Sequence, residues 1–223
     1  MTAGGVDVAA TAKDTTAALK RHVLPLLRVA GFDDGTPRKL WRHRGARIDH
    51  IELSSFSTYQ AATLDCPTAS LAVRIGLSLP GYGAADDPFQ KDHLKAGPKG
   101  LRPGEAQMPI RGVLSPGNGP PLTKGRWGWE FDWVWPIATA DAAETAACDL
   151  AGQFEAYGLD WLETDWSISD ILALLEGEEP APILVAAPNG SHLKLDTGLS
   201  ESPLRNAHIA MARRALDGRR RPG

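Results

Sequence analysis

Glu130 and Asp132 lie two residues apart in a stretch that alternates like a strand, so both carboxylates project from one face. Paired carboxylates at such proximity are what general acid–base chemistry needs. The opposite face carries Trp127, Trp129, Phe131, Trp133 and Trp135, an apolar surface that must be buried or must bind something. A nuclease site of the restriction-enzyme type needs an Asp followed by Glu-x-Lys. Here the second acid occupies the lysine position. Two further residues could join such a site. Arg74 sits on the polar face of an alternating strand, and His50 stands between Asp49 and Glu52. The weak catalytic candidates are therefore Glu130, Asp132, His50 and Arg74, in a pocket between the polar faces of strands 71–79 and 127–135. The competing reading is a solvated strand face pairing with arginines such as Arg74 or Arg111. For His50 it is an exposed strand histidine among salt bridges.

Other chemistries find less support. The six histidines, His22, His43, His50, His93, His192 and His208, show no HxxH or HExxH spacing, so no metal is expected. There is no Gly-x-Ser-x-Gly, and Gly190-Ser191-His192 reads as a turn. Cys66 precedes Pro67 and Cys148 falls within a helix pattern; both read as structural. The glycine-rich stretches 76–83 and 97–104 lack the lysine and hydroxyl of a phosphate loop. No cofactor is expected.

Charge layout is more informative. The net charge is −3, but residues 137–200 hold twelve acids against Lys194 alone. That segment carries −11, and the remaining 23 bases and 15 acids give +8. Such asymmetry bears on partners. Asp160, Glu163, Asp165, Glu176, Glu178 and Glu179 form a surface suited to a basic protein partner, where complementary charge speeds encounter. The basic run Arg38, Lys39, Arg42, Arg44 and Arg47 could in principle bind nucleic acid. In a chain of pI about 6.1, with Trp41 packing inward, a solvated hairpin or an intramolecular partner for the acidic half is the better reading. Nucleic acid is not an expected partner.

The elements that must position these groups read as follows. Residues 1–12 form a flexible N-terminus. A helix spans 14–30, capped by Asp14 or Thr15, with Gly31 after it and a kink or break at Pro25. Strands are expected at 39–42, 47–56, 71–79, 108–114, 127–135 and 182–186. In 47–56 the alternation is imperfect, which a bulge or burial on both sides would explain. In 71–79 it is clean, with one core face and one small, polar face. Residues 80–104 read as loop. Helices follow Thr139 or Asp141, the two N-cap candidates, up to Gly158, at 167–176 behind the capping box Ser167-x-x-Asp170, and after Ser202-Pro203 up to Gly218. The expected fold is one α+β domain, residues 13–218, comprising a helix and sheet (13–136) and an acidic helical half (137–218), with a basic tail at 219–223. It has an antiparallel sheet of about five or six strands, with the N-terminal and C-terminal helices mainly on one face. Two cysteines in no CxxC spacing, no signal-peptide pattern and no apolar run of membrane length point to the cytoplasm and no membrane association.

The order of motifs resembles an uncharacterised bacterial domain-of-unknown-function family, DUF 4304-like. The resemblance rests on the helix ending Leu27-x-x-x-Gly31-Phe32, the pair Trp41-Arg42, the serine-rich strand end 52–59 and the strand Val73–Gly76. Leu159-Asp160-Trp161-Leu162 gives a looser contact in the second half. The resemblance implies an α+β fold with an antiparallel sheet and implies no activity. By analogy with bacterial accessory, immunity or antitoxin-like proteins, the expected function is a non-enzymatic protein-binding module using an acidic surface. The alternative is an enzyme or small-ligand binder with a polar pocket around Glu130, Asp132 and Arg74.

Overall fold

The computed structural model describes residues 9–83, 85, 94–104, 108, 110–116, 134–176, 183–186, 192–195 and 203–219. The break at Pro25 splits the first helical stretch in two. α1 runs Ala12–His22 and α2 runs Leu24–Val29. Pro25 falls in the first turn of α2, where its missing N–H has no intrahelical role. The cap lies one turn earlier than expected. Thr11 accepts from the Asp14 N–H, and Asp14 returns the bond to the Thr11 N–H at 2.9 Å, so Asp14 is the capping-box partner rather than the cap. Residues just before α1 are also tied down, since the Ala10 N–H donates to Ala138 O at 2.8 Å. Gly31 ends α2 with φ +88°.

The sheet is antiparallel and holds eight strands among the described residues. They are β1 (Asp34–Thr36), β2 (Lys39–Arg44), β3 (Arg47–Ser55), β4 (Leu71–Ser78), β7 (Ile110–Leu114), β8 (Val134–Trp135), β9 (Ile183–Ala186) and β10 (His192–Leu195). Their order is β1-β2-β3-β4-β7-β10-β9, with β8 pairing to the start of β4. β5 (Ala96–Gly97) and β6 (Gly100–Leu101) form a separate small hairpin inside what the sequence suggests is loop. The extra sheet strands are the short β1, which sits in the turn-rich connector, and β10, where the Gly190-Ser191-His192 pattern suggests a turn.

The two-residue turn Gly45-Ala46 fixes the β2–β3 register, with Arg44 facing Arg47 and Trp41 facing His50. β3 and β4 pair without a bulge from Ile48↔Ser78 to Ser55↔Leu71. The imperfect alternation of β3 therefore reflects burial on both faces. Asp49 and Ile51 are covered on one side and His50 on the other.

Helices other than α3 (Thr58–Leu64) cover the first face, and α3 packs Leu64 against Val134 in a separate cluster. α4 is Ala140–Gln153, which passes through a π-helical turn at Phe154–Gly158 into α5 (Leu159–Glu163). α6 is Ile168–Glu176 and α7 is Pro203–Arg219. Leu71, Val73, Ile75 and Leu77 share one core with Leu19, Leu27, Leu150, Phe154, Leu162, Ile171 and Met211. The N- and C-terminal helices thus pack on one face of an α+β fold, as the periodicity implies. Trp135 belongs to this core, and its Nε1–H donates to Asp149 at 2.7 Å. The rest of the tryptophan stretch lies outside the described residues.

Two helix ends differ from expectation. Gly158 does not stop the helix. It lies inside the π-turn, where a Cβ would come within 2.7 Å of the Phe154 ring, so it serves close packing. Gly218 likewise falls within α7. Ser167 and Asp170 form the expected box at α6, the Asp170 N–H donating to Ser167 Oγ at 3.1 Å. No described helix is long and apolar enough to cross a membrane.

Candidate functional site

The second face of the sheet carries two of the four catalytic candidates. One row across it reads Lys39, Glu52, Arg74, and the next reads Asp34, Trp41, His50, Gly76. Arg74 therefore stands directly across from Glu52, and His50 opposite Gly76. This face is not the small, polar surface expected from the alternation of β4. Ala72, Gly76 and Ser78 are buried, and only Arg74 is partly exposed. His50 is not an exposed strand histidine: it is 0% exposed. Its ring stacks on Trp41 at 5.0 Å between centroids, and Nδ1 lies 3.1 Å from Leu40 O. Trp41 in turn donates Nε1–H to Pro103 O at 2.8 Å, so residues 94–104 cover this part of the sheet. A buried, stacked imidazole contributes apolar area, and here its Nε2 also lies 3.5 Å from Glu52 Oε2.

Glu52 is the ionised centre of that face. Burial works to raise its pKa, but hydrogen bonds from His50, Lys39 and Ser54, with the Lys39 charge, outweigh it and hold the carboxyl at about 2. Lys39 Nζ is 3.1 Å away, and Ser54 Oγ donates at 3.0 Å. Glu130 and Asp132, which would complete a carboxylate pocket, lie outside the described residues.

The basic hairpin is consumed inside the molecule. Asp49, fully buried, accepts Arg42 Nε and Arg47 Nε at 2.8 Å each and lies 3.0 Å from Arg44 Nη2. Glu163, at the end of α5, accepts Arg42 Nη1 at 2.5 Å and Arg44 Nη1 at 2.6 Å. Arg44 and Arg47 also donate to Leu162 O, and Arg42 donates to Ala30 O at 2.9 Å. These guanidiniums thus satisfy carbonyls at the C-termini of two helices, where cations are favoured. Arg42 also covers the Phe32 ring at 4.7 Å. Burial opposes the charge of Glu163, yet Arg42 and Arg44 hold its carboxyl below the ordinary value. Arg38 is engaged as well, donating to Leu53 O and Ala12 O. Within the acidic half the hairpin pairs with Glu163 and with the Leu162 and Thr164 carbonyls.

The acidic segment accordingly divides in two. Glu144 pairs with Arg21 and His22, Glu163 with the hairpin, and Glu176 with Arg213. Asp141, Glu155, Asp160 and Asp165 are exposed, and no described cation pairs with them. Of the six proposed partner-facing acids, Asp160 and Asp165 stand outward, Glu163 and Glu176 stand at the surface within ion pairs, and Glu178 and Glu179 lie outside the described residues.

A third arrangement was not marked by the sequence. Asp34, in β1, is buried and lies 3.2 Å from His43 Nε2. Arg102 donates to it through Nε at 2.9 Å and also through Nη2. Those Arg102 hydrogen bonds are the main reason the Asp34 carboxyl titrates below its usual value. Burial opposes them, and the His43 contact adds to them. Asp33-Asp34 read as part of a turn, and residues 97–104 as a flexible glycine loop. The only available signal was that His43 alternates with Trp41 on one strand face. Gly100, with φ +148°, closes the arrangement, since a Cβ there would stand 3.1 Å from His43 Nδ1. Among the described residues, no group of three or more His, Cys, Asp or Glu could hold a metal ion.

No family model, curated protein or solved structure matches the chain. The likeness to the DUF 4304-like family therefore rests on the quoted motifs alone.

Proposed function

We propose that the chain is a binding protein that engages a basic protein partner through the acidic surface around the π-turn and α5, in the manner of an immunity or antitoxin-like module. One observation carries this reading. Lys39, Arg42, Arg44 and Arg47 of the basic hairpin pair with Asp49, Glu52 and Glu163, whereas Glu155, Asp160 and Asp165 face outward unneutralised by any described cation. Internal pairing thus leaves a negative patch on a segment whose backbone is fixed by the buried Phe154, Trp161 and Leu162. A rigid patch of one sign raises association rates from about 10⁵–10⁶ to as much as 10⁸–10⁹ M⁻¹s⁻¹ at low salt. The test compares the wild-type chain with the triple variant E155K/D160K/D165K as baits. The reading requires a basic protein retained saturably by the wild type and released by the variant at equal fold stability. Retention by both, or by neither, refutes it.

A further inference from the structure

A cleft of about 320 Å³ opens at the end of the sheet beyond His50, between the β2–β3 turn, the end of β4 and residues 94–103. It sits at the small end of the range for ligand pockets, which starts at about 300 Å³. Its walls are largely apolar, with Ile48, Leu79, Leu94, Leu101 and Pro103 among them. Among the described residues, two lining side chains can carry positive charge, His43 and Lys99, and none is a carboxylate.

Both cations are braced from behind. His43 is held through Nε2 by Asp34, whose charge is already answered by Arg102. Lys99 Nζ is 2.5 Å from Asp33 Oδ2, which uses one of its three donors. His43 Nδ1 has no hydrogen-bond partner among the described residues and lies beside Gly100, itself part of the lining. A protonated His43 can donate Nε2–H to Asp34 and Nδ1–H to a ligand. Asp34 is matched by Arg102 and Asp33 by Lys99 itself, so among the described residues a negative ligand meets the remaining Lys99 donors and His43 Nδ1–H without an opposing unpaired acid.

We propose that this cleft binds a small organic monoanion with an apolar body, its charge held by His43 and Lys99. The site is separate from the acidic surface and does not depend on it.

Calorimetric titration of the full chain with benzoate and cyclohexanecarboxylate, against size-matched benzyl alcohol and cyclohexylmethanol, tests this. The expected result is saturable binding of a carboxylate at least about tenfold tighter than its alcohol, a difference of about 1.4 kcal/mol. K99M and H43F should each weaken the carboxylate about tenfold or more. Ala46→Trp, at an exposed lining position, should block binding without shifting the melting temperature. H43F removes a contact of buried Asp34, so K99M and A46W decide the outcome if it fails to fold. No saturable carboxylate binding, equal binding of acid and alcohol, or binding unchanged in A46W and K99M overturns the proposal.

Discussion

Replacing Asp49 by Asn tests whether the arginine cluster is a buried charge network or a surface ornament. The substitution keeps shape and removes one negative charge. In the native chain, Arg42, Arg44 and Arg47 surround Asp49 and Glu163, leaving one excess positive charge. D49N leaves two. The side chains of Arg42 and Arg47 are only 9% and 14% exposed, so solvent can do little to relieve them. Removing one partner of a buried pair costs about 3–5 kcal/mol. For a chain of this length, that corresponds to a melting-temperature drop of roughly 6–20 °C. Urea unfolding with an unchanged slope would confirm that the native state alone was affected. The control is E163Q. Glu163 is 51% exposed, so its loss should cost about 1 kcal/mol or less. A D49N loss below about 1 kcal/mol, or one no larger than that of E163Q, would refute the reasoning.

Glu52 gives a pH signature. Its folded pKa of about 2 lies below the ordinary value of 4.5, so its contribution is complete above pH 4.5 and is lost as pH falls towards 2. Unfolding measured from pH 5 to 2 should show a shallower fall in E52Q than in the wild type, and equal slopes would contradict the assignment. Gly35 has φ +123°, and a Cβ there would lie 2.1 Å from Lys39 O. G35A should therefore destabilise by about 1–3 kcal/mol or more, read as a lower urea midpoint; a neutral outcome would show that the β1–β2 turn does not hold this geometry. Ile75 is fully buried on the helix-covered face, so I75A should cost about 2–5 kcal/mol by the same measurement. A loss under 1 kcal/mol would place β4 at the rim of the core.

Local rules carried the parts of the fold where neighbours in sequence decide the outcome. The break at Pro25, the Ser167–Asp170 box and the alternation of β4 each follow from a few adjacent residues. The second face of the sheet is different. Nothing near Ser70, Ala72 or Ser78 announces that this face is covered, because the cover at Trp41 comes from residues around Pro103, 62 positions along the chain. His50 between two acids looks solvated. The Gly45-Ala46 turn sets it against Trp41, and the cover over Trp41 buries it; the register follows from the turn, the cover does not. Charge layout was legible as an asymmetry but not as a partition. Which acids are spent on arginines depends on α5 docking beside the hairpin, a contact over 119 residues from Arg44 to Glu163. The His43–Asp34–Arg102 arrangement was least visible, since its members come from a connector, a strand and a glycine-rich loop.

The outward acids are the centre of the functional account, and the most direct measurement is binding of a captured basic partner to the wild type and to E155K/D160K/D165K across a salt series. The account predicts saturable wild-type binding that weakens steeply with salt and disappears in the variant, while both chains unfold at the same urea concentration. Salt-independent binding, or full binding by the variant, would contradict it.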